Sequence, residues 1–295
     1  GARIRAVDGV NLSVRSGETV ALVGESGCGK TTLARCVLGL QPLLSGRVVV
    51  DGQPVSGVRK GLAKHVGMVW QDPYASLDPR WTIERTIAES GVVVGKKVDV
   101  DSTMRQIGLD PGLRDRYPHQ LSGGQRKRVA IGRALALRPP LVVCDEPTAA
   151  LDLSVQAQIL NLLKDLKDEF HCSYLYISHD LTTVRFLADR VAVMYMGQIV
   201  EEGATEDVFS DPRHPYTQAL LKAAPSLETV GTLPEEPMGD VPDPSASRVG
   251  CLYAGRCPRR QEACGHAPAM TQAGHRAWRC YFPLEPAEPV ASADR

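Results

Sequence analysis

The segment Gly24-Glu25-Ser26-Gly27-Cys28-Gly29-Lys30-Thr31 has the spacing G-x-x-x-x-G-K-[ST], a set of residue types suited to holding a polyphosphate. Its glycines let the backbone wrap an anion so that amide N–H groups and a helix N-terminus face the negative charge. Lys30 brings a point charge to the β- and γ-phosphates, the Thr31 hydroxyl is placed to ligate Mg²⁺, and Thr32 closes the nucleotide-binding stretch. Cys28 lies inside this loop, where a helix terminus can activate a thiol, although a tolerated small side chain is the plainer reading. Further on, Leu141-Val142-Val143-Cys144-Asp145-Glu146 delivers two adjacent carboxylates at the end of an apolar run. Asp145 would hold Mg²⁺ directly or through water, and Glu146 would polarise an attacking water as general base. Alone, such a pair is often a solvated loop; beside a phosphate loop it points to phosphoryl transfer. Cys251, Cys257, Cys264 and Cys280, spaced C-x5-C-x6-C-x15-C, form a third group. Four thiolates suit tetrahedral zinc or an iron–sulfur cluster, and the spacing does not choose between these and no metal at all.

Positioning these groups requires alternating strands and helices. Residues 19–23 read as a strand feeding the phosphate loop and residues 30–40 as the helix leaving it. Val10, Leu12 and Val14 alternate with polar residues ahead of a Ser16-Gly17 turn, and strands are expected at 47–50 and 64–70. Residues 72–138 look mostly helical and irregular. The run 141–144 suits a parallel strand buried on both faces. Val155, Ile159, Leu162, Leu163, Leu166 and Phe170 recur at helical spacing before a strand at 173–178, and 191–195 with 198–201 reads as a hairpin turning near Gly197. This alternation predicts an α/β sheet.

Composition narrows the functional classes. Among 295 residues, 43% are hydrophobic and 23% charged, as in an ordinary globular chain, and 34 basic residues balance 34 acidic ones, so no wholesale attraction to nucleic acid is expected. No apolar stretch approaches the roughly 20 residues that span a bilayer. The sequence opens at Gly1 without methionine or a secretory leader, which reads as a cytosolic chain starting partway into a domain; its eight cysteines are then not expected to form structural disulfides. Prolines at 225, 234, 237, 242 and 244 mark a linker over 225–248, followed by a cysteine-rich segment, 249–282, and a loose tail, 283–295.

Leu121-Ser122-Gly123-Gly124-Gln125 has the S-x-x-Q spacing of a capping box, and as a whole it resembles the signature of ATP-binding cassette (ABC) proteins. Other residues match that family in order: Gln71 resembles the glutamine that meets Mg²⁺ or the attacking water, Leu151-Asp152 the D-loop, and His179 the switch histidine at the γ-phosphate. The resemblance covers about residues 1–224. It implies a P-loop NTPase-type nucleotide-binding domain with a RecA-like core, an antiparallel β subdomain and a helical signature subdomain at about 72–138, here followed by a small cysteine-rich extension. It also implies ATP and Mg²⁺ as ligands, with Thr31, Gln71 and Asp145 at the metal and Glu146, Gln71 and His179 in catalysis. Two cassettes would sandwich ATP, each signature segment meeting nucleotide held by the other. Two departures stand out: the first aromatic residue is Trp70, so the family's adenine-stacking aromatic upstream of the phosphate loop is either cut off or absent, and Ala149 stands where the D-loop often has serine.

A narrower resemblance, to oligopeptide and dipeptide importers whose relatives also carry nickel, rests on Gln71-Asp72-Pro73-Tyr74-Ala75-Ser76-Leu77-Asp78-Pro79-Arg80 and His214-Pro215-Tyr216-Thr217-Gln218-Ala219-Leu220-Leu221, both read physically as surface segments. It implies a peripheral subunit at the cytoplasmic face of the cell membrane. Its partners would be a second cassette (a sister subunit or a fused domain), two permease subunits and, through them, an extracytoplasmic substrate-binding protein, with no nucleic acid. The same resemblance favours a [4Fe-4S] cluster over zinc at the four tail cysteines. A soluble cassette acting on ribosomes or DNA is the rival reading, for which no coiled coil or basic arm is visible.

Overall fold

The computed structural model describes residues 5–224 and 248–286, so nearly all of the expected linker and the last residues of the tail lie outside the described residues. In chain order the strands are β1 (Thr19–Val23), β2 (Val48–Val50), β3 (Gln53–Val55), β4 (Val66–Val69), β5 (Leu141–Asp145), β6 (Ser173–Ile177), β7 (Arg190–Tyr195), β8 (Gln198–Ala204), β9 (Thr271–Ala273) and β10 (Arg276–Trp278). The α-helices are α1 (Lys30–Val37), α2 (Pro73–Ser76), α3 (Ile83–Val94), α4 (Val100–Gln106), α5 (Gly123–Leu135), α6 (Leu153–Phe170), α7 (Leu181–Leu187), α8 (Thr205–Ser210) and α9 (Pro215–Lys222). They fall into two compact units, one of Ser13–Ala21 with Thr31–Ser178, the other of Gly1–Leu12, Leu22–Lys30 and His179–Arg295.

In the first unit β4, β5 and β6 pair in parallel, with Val69 opposite Cys144 and Cys144 opposite Tyr176. Val142, Val143 and Cys144 are buried, as a strand covered on both faces requires. This register brings the three strands to a common end, so the residues that follow them, Gln71, Glu146 and Ser178, leave the sheet on the same edge. Helix α5 approaches β4 closely: a Cβ on Gly67 would lie 2.4 Å from the carbonyl oxygen of Ala134, so only glycine permits this packing. Tyr174 donates its hydroxyl to the Leu163 carbonyl at 2.8 Å, tying β6 to α6 in the buried layer.

The second unit is antiparallel. Strands β7 and β8 form a hairpin with a register shift between Val193 and Met194, turned by Met196 and Gly197, both at positive φ, as a tight two-residue hairpin requires. The cysteine-rich segment adds to the same sheet: β10 pairs antiparallel with β8, placing Trp278 opposite Glu201, and β9 pairs with β10.

Local chemistry explains the element ends. Helix α1 stops earlier than its apolar spacing predicts because Gly39, at φ +67°, closes it: Leu40 N–H bonds the Arg35 carbonyl and Gly39 N–H that of Cys36. The strand expected at 64–70 starts at Val66 because the residues before it form a short 3₁₀ turn, Lys60–Lys64. Val10, Leu12 and Val14, despite their alternation, lie in no strand.

Candidate functional site

The phosphate loop joins β1 to α1, with Gly24, Gly27 and Gly29 all at positive φ. Lys30 is buried, and its Nζ donates to the Gly24 carbonyl at 2.7 Å and the Glu25 carbonyl at 2.9 Å, so the ammonium sits at the centre of its own loop. The Cys28 carbonyl accepts from Gly197 N–H at 2.8 Å, fixing the loop to the β7–β8 turn. Burial pushes the Cys28 thiol up, against the pull of Lys30, so it stays protonated and packs as a small side chain. Thr31 is exposed and Thr32 half-buried at the start of α1.

Within the first unit, Asp145 is buried at the end of β5 and Glu146 follows at φ +46°, its N–H bonded to the Ile177 carbonyl at 2.9 Å. That left-handed turn points the second carboxylate away from the strand direction. The shared strand register then lets Gln71 meet it, Nε2 donating to Glu146 Oε2 at 2.7 Å. The structure thus brings together two residues 75 positions apart that the sequence marks as catalytic. His179 lies two residues beyond β6 and is exposed.

The signature segment forms the capping box its spacing predicts. Ser122 Oγ accepts from Gln125 N–H at 3.2 Å and Gln125 Oε1 accepts from Ser122 N–H at 2.9 Å, at the N-terminus of the 13-residue helix α5. Leu121 is buried ahead of the cap, and a Cβ on Gly124 would lie 2.9 Å from Val155 Cγ1, so this glycine allows α5 to approach α6. Asp152 caps α6, accepting from Val155 N–H at 2.9 Å and from the Ser154 hydroxyl at 2.6 Å, and these bonds hold its carboxyl below the usual range.

Cys251, Cys257, Cys264 and Cys280 line one cavity in the second unit, together with His214, Tyr253 and Phe282. Burial pushes the Cys280 thiol up to about 11, and the neighbouring thiols add to the rise. Among the described residues, however, no group of three or more His, Cys, Asp or Glu side chains is arranged to hold a metal ion. The thiols converge on a cavity without forming a ligand set, so the expected [4Fe-4S] cluster gains no direct support.

The family described as "ABC transporter" matches residues 7–149, and that described as "Oligopeptide/dipeptide transporter, C-terminal region" matches residues 200–264. The oligopeptide transport ATP-binding protein AppF of Bacillus subtilis is 42% identical over 275 residues, covering 88% of this chain and 84% of that protein. This chain belongs to the ABC transporter family. The di/tripeptide transport ATP-binding protein DppF of Pseudomonas aeruginosa is also 42% identical, over 95% of the cassette chain and 90% of that protein. Among solved structures, cbiO1 of Clostridium perfringens, part of the ABC transporter complex cbiONQ, superimposes with a TM-score of 0.62 and 32% identity, over 69% of this cassette chain and 84% of that one.

Two supporting residues of the cassette, Arg256 and Lys127, belong to none of these motifs, and one motif lies elsewhere than its sequence suggests. The first half of the segment beginning at His214, residues 214–217, is buried rather than on the surface: His214 Nδ1 caps α9 by accepting from Tyr216 N–H at 3.0 Å, and Tyr216 reaches the phosphate loop, its hydroxyl accepting from Glu25 N–H at 2.9 Å. Arg256 pairs with Glu25 through both terminal guanidinium nitrogens, at 2.8 and 3.0 Å. Lys127 is fully buried on α5, its Nζ donating to the carbonyls of Trp70 at 3.2 Å and Gln71 at 2.7 Å, so it holds the backbone that carries the Gln71 side chain. The available signal was its phase: Lys127 falls in line with Ile131 and Leu135 on the buried stripe of α5.

Desolvation lowers the Lys127 ammonium from 10.5 to about 8. Below that pH both folded and unfolded chains carry the proton. Between about 8 and 10.5 the folded chain releases it first, so the contribution of Lys127 to stability rises with pH across this window by up to about 3 kcal/mol. Lys127→Met is expected to remove this rise, as read by urea unfolding of both chains at pH 7.5 and 10.

Proposed function

We propose that this chain is the ATP-hydrolysing subunit that powers an ABC importer of oligopeptides or dipeptides. The observation that carries the reading is where the second family match falls. Residues 200–264 take in most of β8, the buried segment from His214 and three of the four tail cysteines, so the likeness to peptide transporters extends beyond the elements any cassette needs to bind nucleotide. The proposed domains are a cassette over about 1–224 and a cysteine-rich extension over 249–282.

In the proposed reaction, Lys30 and the amides of residues 24–32 bind the phosphates, and Thr31, Asp145 and Gln71 would supply oxygen ligands for Mg²⁺, which when bound would neutralise charge developing on the β- and γ-phosphates. Glu146 accepts a proton from water as its oxygen attacks the γ-phosphorus. The bond from that phosphorus to the bridging oxygen breaks, leaving ADP and inorganic phosphate. Gln71, held by Lys127 through its backbone, orients Glu146, and His179 meets the γ-phosphate. Residues 121–125 contact nucleotide held by a second cassette through the N-terminus of α5, where amide dipoles favour an anion.

Docking of a permease segment beside Gln71 is supported by an apolar groove in the first unit lined by Leu38, Leu40, Val58, Leu62, Met68 and Trp70. No helix among the described residues is long and apolar enough to cross a membrane, so attachment through permeases at the cytoplasmic face is the proposed arrangement. The test is purification of the tagged chain from gently solubilised native membranes. Two multi-span permeases, a second cassette and a peptide-binding protein are the expected partners, and ribosomes in their place would overturn the transport reading.

At the extension we propose a [4Fe-4S] cluster held by Cys251, Cys257, Cys264 and Cys280. Support comes from the donor chemistry, four thiols around one cavity with apolar walls. A cation there would displace thiol protons that burial otherwise retains, and would staple a segment too small to build its own core. Anaerobically purified protein is expected to be brown, with iron and sulfide in equal amounts; colourless protein with stoichiometric zinc would exclude the cluster.

A further inference from the structure

The second position of the phosphate-loop pattern needs only a backbone amide, yet here it carries a carboxylate, Glu25. A carboxylate in a loop built to receive an anion has the wrong sign, and left unpaired it would repel a bound phosphate. Its side chain is 18% exposed, and both of its oxygens are taken by one partner, Arg256, whose side chain is 5% exposed. That bidentate pair is the geometry in which a guanidinium gives most for a carboxylate.

Arg256 is itself fixed. Its backbone N–H bonds the Tyr253 carbonyl at 3.0 Å, and its guanidinium lies 5.9 Å from the ring centres of both Tyr195 and Tyr253. Those rings pack edge to face, 5.3 Å apart, and Tyr195 also meets Tyr216 at 4.5 Å, the residue that accepts the Glu25 N–H. The backbone and the side chain of Glu25 are therefore both held by one aromatic cluster, and Arg256 comes from the cysteine-rich segment between Cys251 and Cys257.

We propose that Arg256 is a positioning residue for the phosphate loop: through its forked pair with Glu25 it neutralises the loop's own carboxylate and sets the loop's shape for polyphosphate. This rests on the reading of residues 24–32 as the nucleotide site. The Arg256 guanidinium is engaged by the Glu25 carboxylate, so the role assigned to it is to shape the loop: its removal is expected to weaken nucleotide binding and raise KM while turnover at saturation stays close to that of the unaltered chain.

The experiment is calorimetric titration of the intact chain with the β,γ-imido analogue of ATP and Mg²⁺, alongside steady-state ATPase kinetics. Arg256→Ala is expected to weaken binding by about 10-fold, and Arg256→Lys, which keeps the charge but loses the fork, by about 3-fold. In a Glu25→Ala background, Arg256→Ala is expected to cost little more, because its partner is gone. Unchanged affinity in the Ala variant, or an equal loss with and without Glu25, overturns the proposal; if the Ala variant does not fold, unchanged affinity in the Lys variant does so. Lys30→Ala separates the two readings: equal binding by it and the unaltered chain would remove the nucleotide site itself, whatever Arg256 does.

Discussion

Glu146→Gln is expected to lower ATP turnover by about 10²- to 10⁴-fold, the range a general base contributes, while ATP still binds. The substitution keeps the shape of the side chain and removes its ability to take a proton. It also leaves an oxygen that can accept from Gln71 Nε2, the 2.7 Å contact that orients the group, so lost positioning does not confound the result. Phosphate release under saturating ATP reads the turnover, and equilibrium titration with ATP reads the binding. A variant within tenfold of the unaltered rate would show that another group takes the proton. Loss of binding along with rate would instead mean that the carboxylate supports the nucleotide rather than the water.

The other large effect is expected at Gly24. A Cβ there would lie 2.1 Å from the Met194 carbonyl oxygen and 2.9 Å from Cys28 Sγ, with the backbone at φ +152°. The first neighbour is backbone within β7, so it cannot rotate aside as a side-chain tip could. Gly24→Ala must either break the β7 path or reshape the loop, and nucleotide binding is expected to fall by more than about 100-fold, the scale set by misplacing a reacting group by an ångström. Gly27→Ala is the control: it also has positive φ, +77°, but nothing lies within 4 Å of its Cβ, so only the left-handed penalty of about 1–2 kcal/mol applies. Binding titrations of the two variants, with melting curves, separate contact from strain. Equal losses would show that backbone conformation, not the approach to Met194, makes glycine necessary at position 24.

What could be read from the residues alone depended on whether the information was local. The phosphate loop, the acidic pair and the capping box at Ser122 are short strings whose geometry is written in a few adjacent residues, and each took the expected local form. The meeting of Gln71 with Glu146 could be inferred only through family likeness, because the parallel register of β4 and β5 that produces it is a long-range fact. Lys127 and Arg256 were missed for a different reason. A buried cation is rare enough that a lone lysine or arginine defaults to the surface, and only the partners waiting for it, two backbone carbonyls in one case and a carboxylate in the other, reverse that expectation. The segment from His214 was recognised as a family string but read as surface; its burial follows from Glu201, whose carboxylate accepts from the N–H groups of Arg213 and His214 at 2.7 and 2.8 Å and draws the segment inward. The alternation of Val10, Leu12 and Val14 satisfied the strand pattern without making a strand, since a period of two describes a face and says nothing of a neighbour to pair with.

The two anchors of Glu25 also set a schedule for the newborn chain. Its amide bonds a residue 191 positions later and its carboxylate pairs with one 231 positions later. At a synthesis rate of about 5–20 residues per second, Glu25 leaves the ribosome roughly 10–50 s before Arg256 exists. Throughout that interval the emerging polypeptide carries every residue of its phosphate loop but not the pair that finishes it. A phosphate loop whose residues are all translated early is thus completed late, and a polypeptide cut short before residue 256 has a loop that keeps an unneutralised acid.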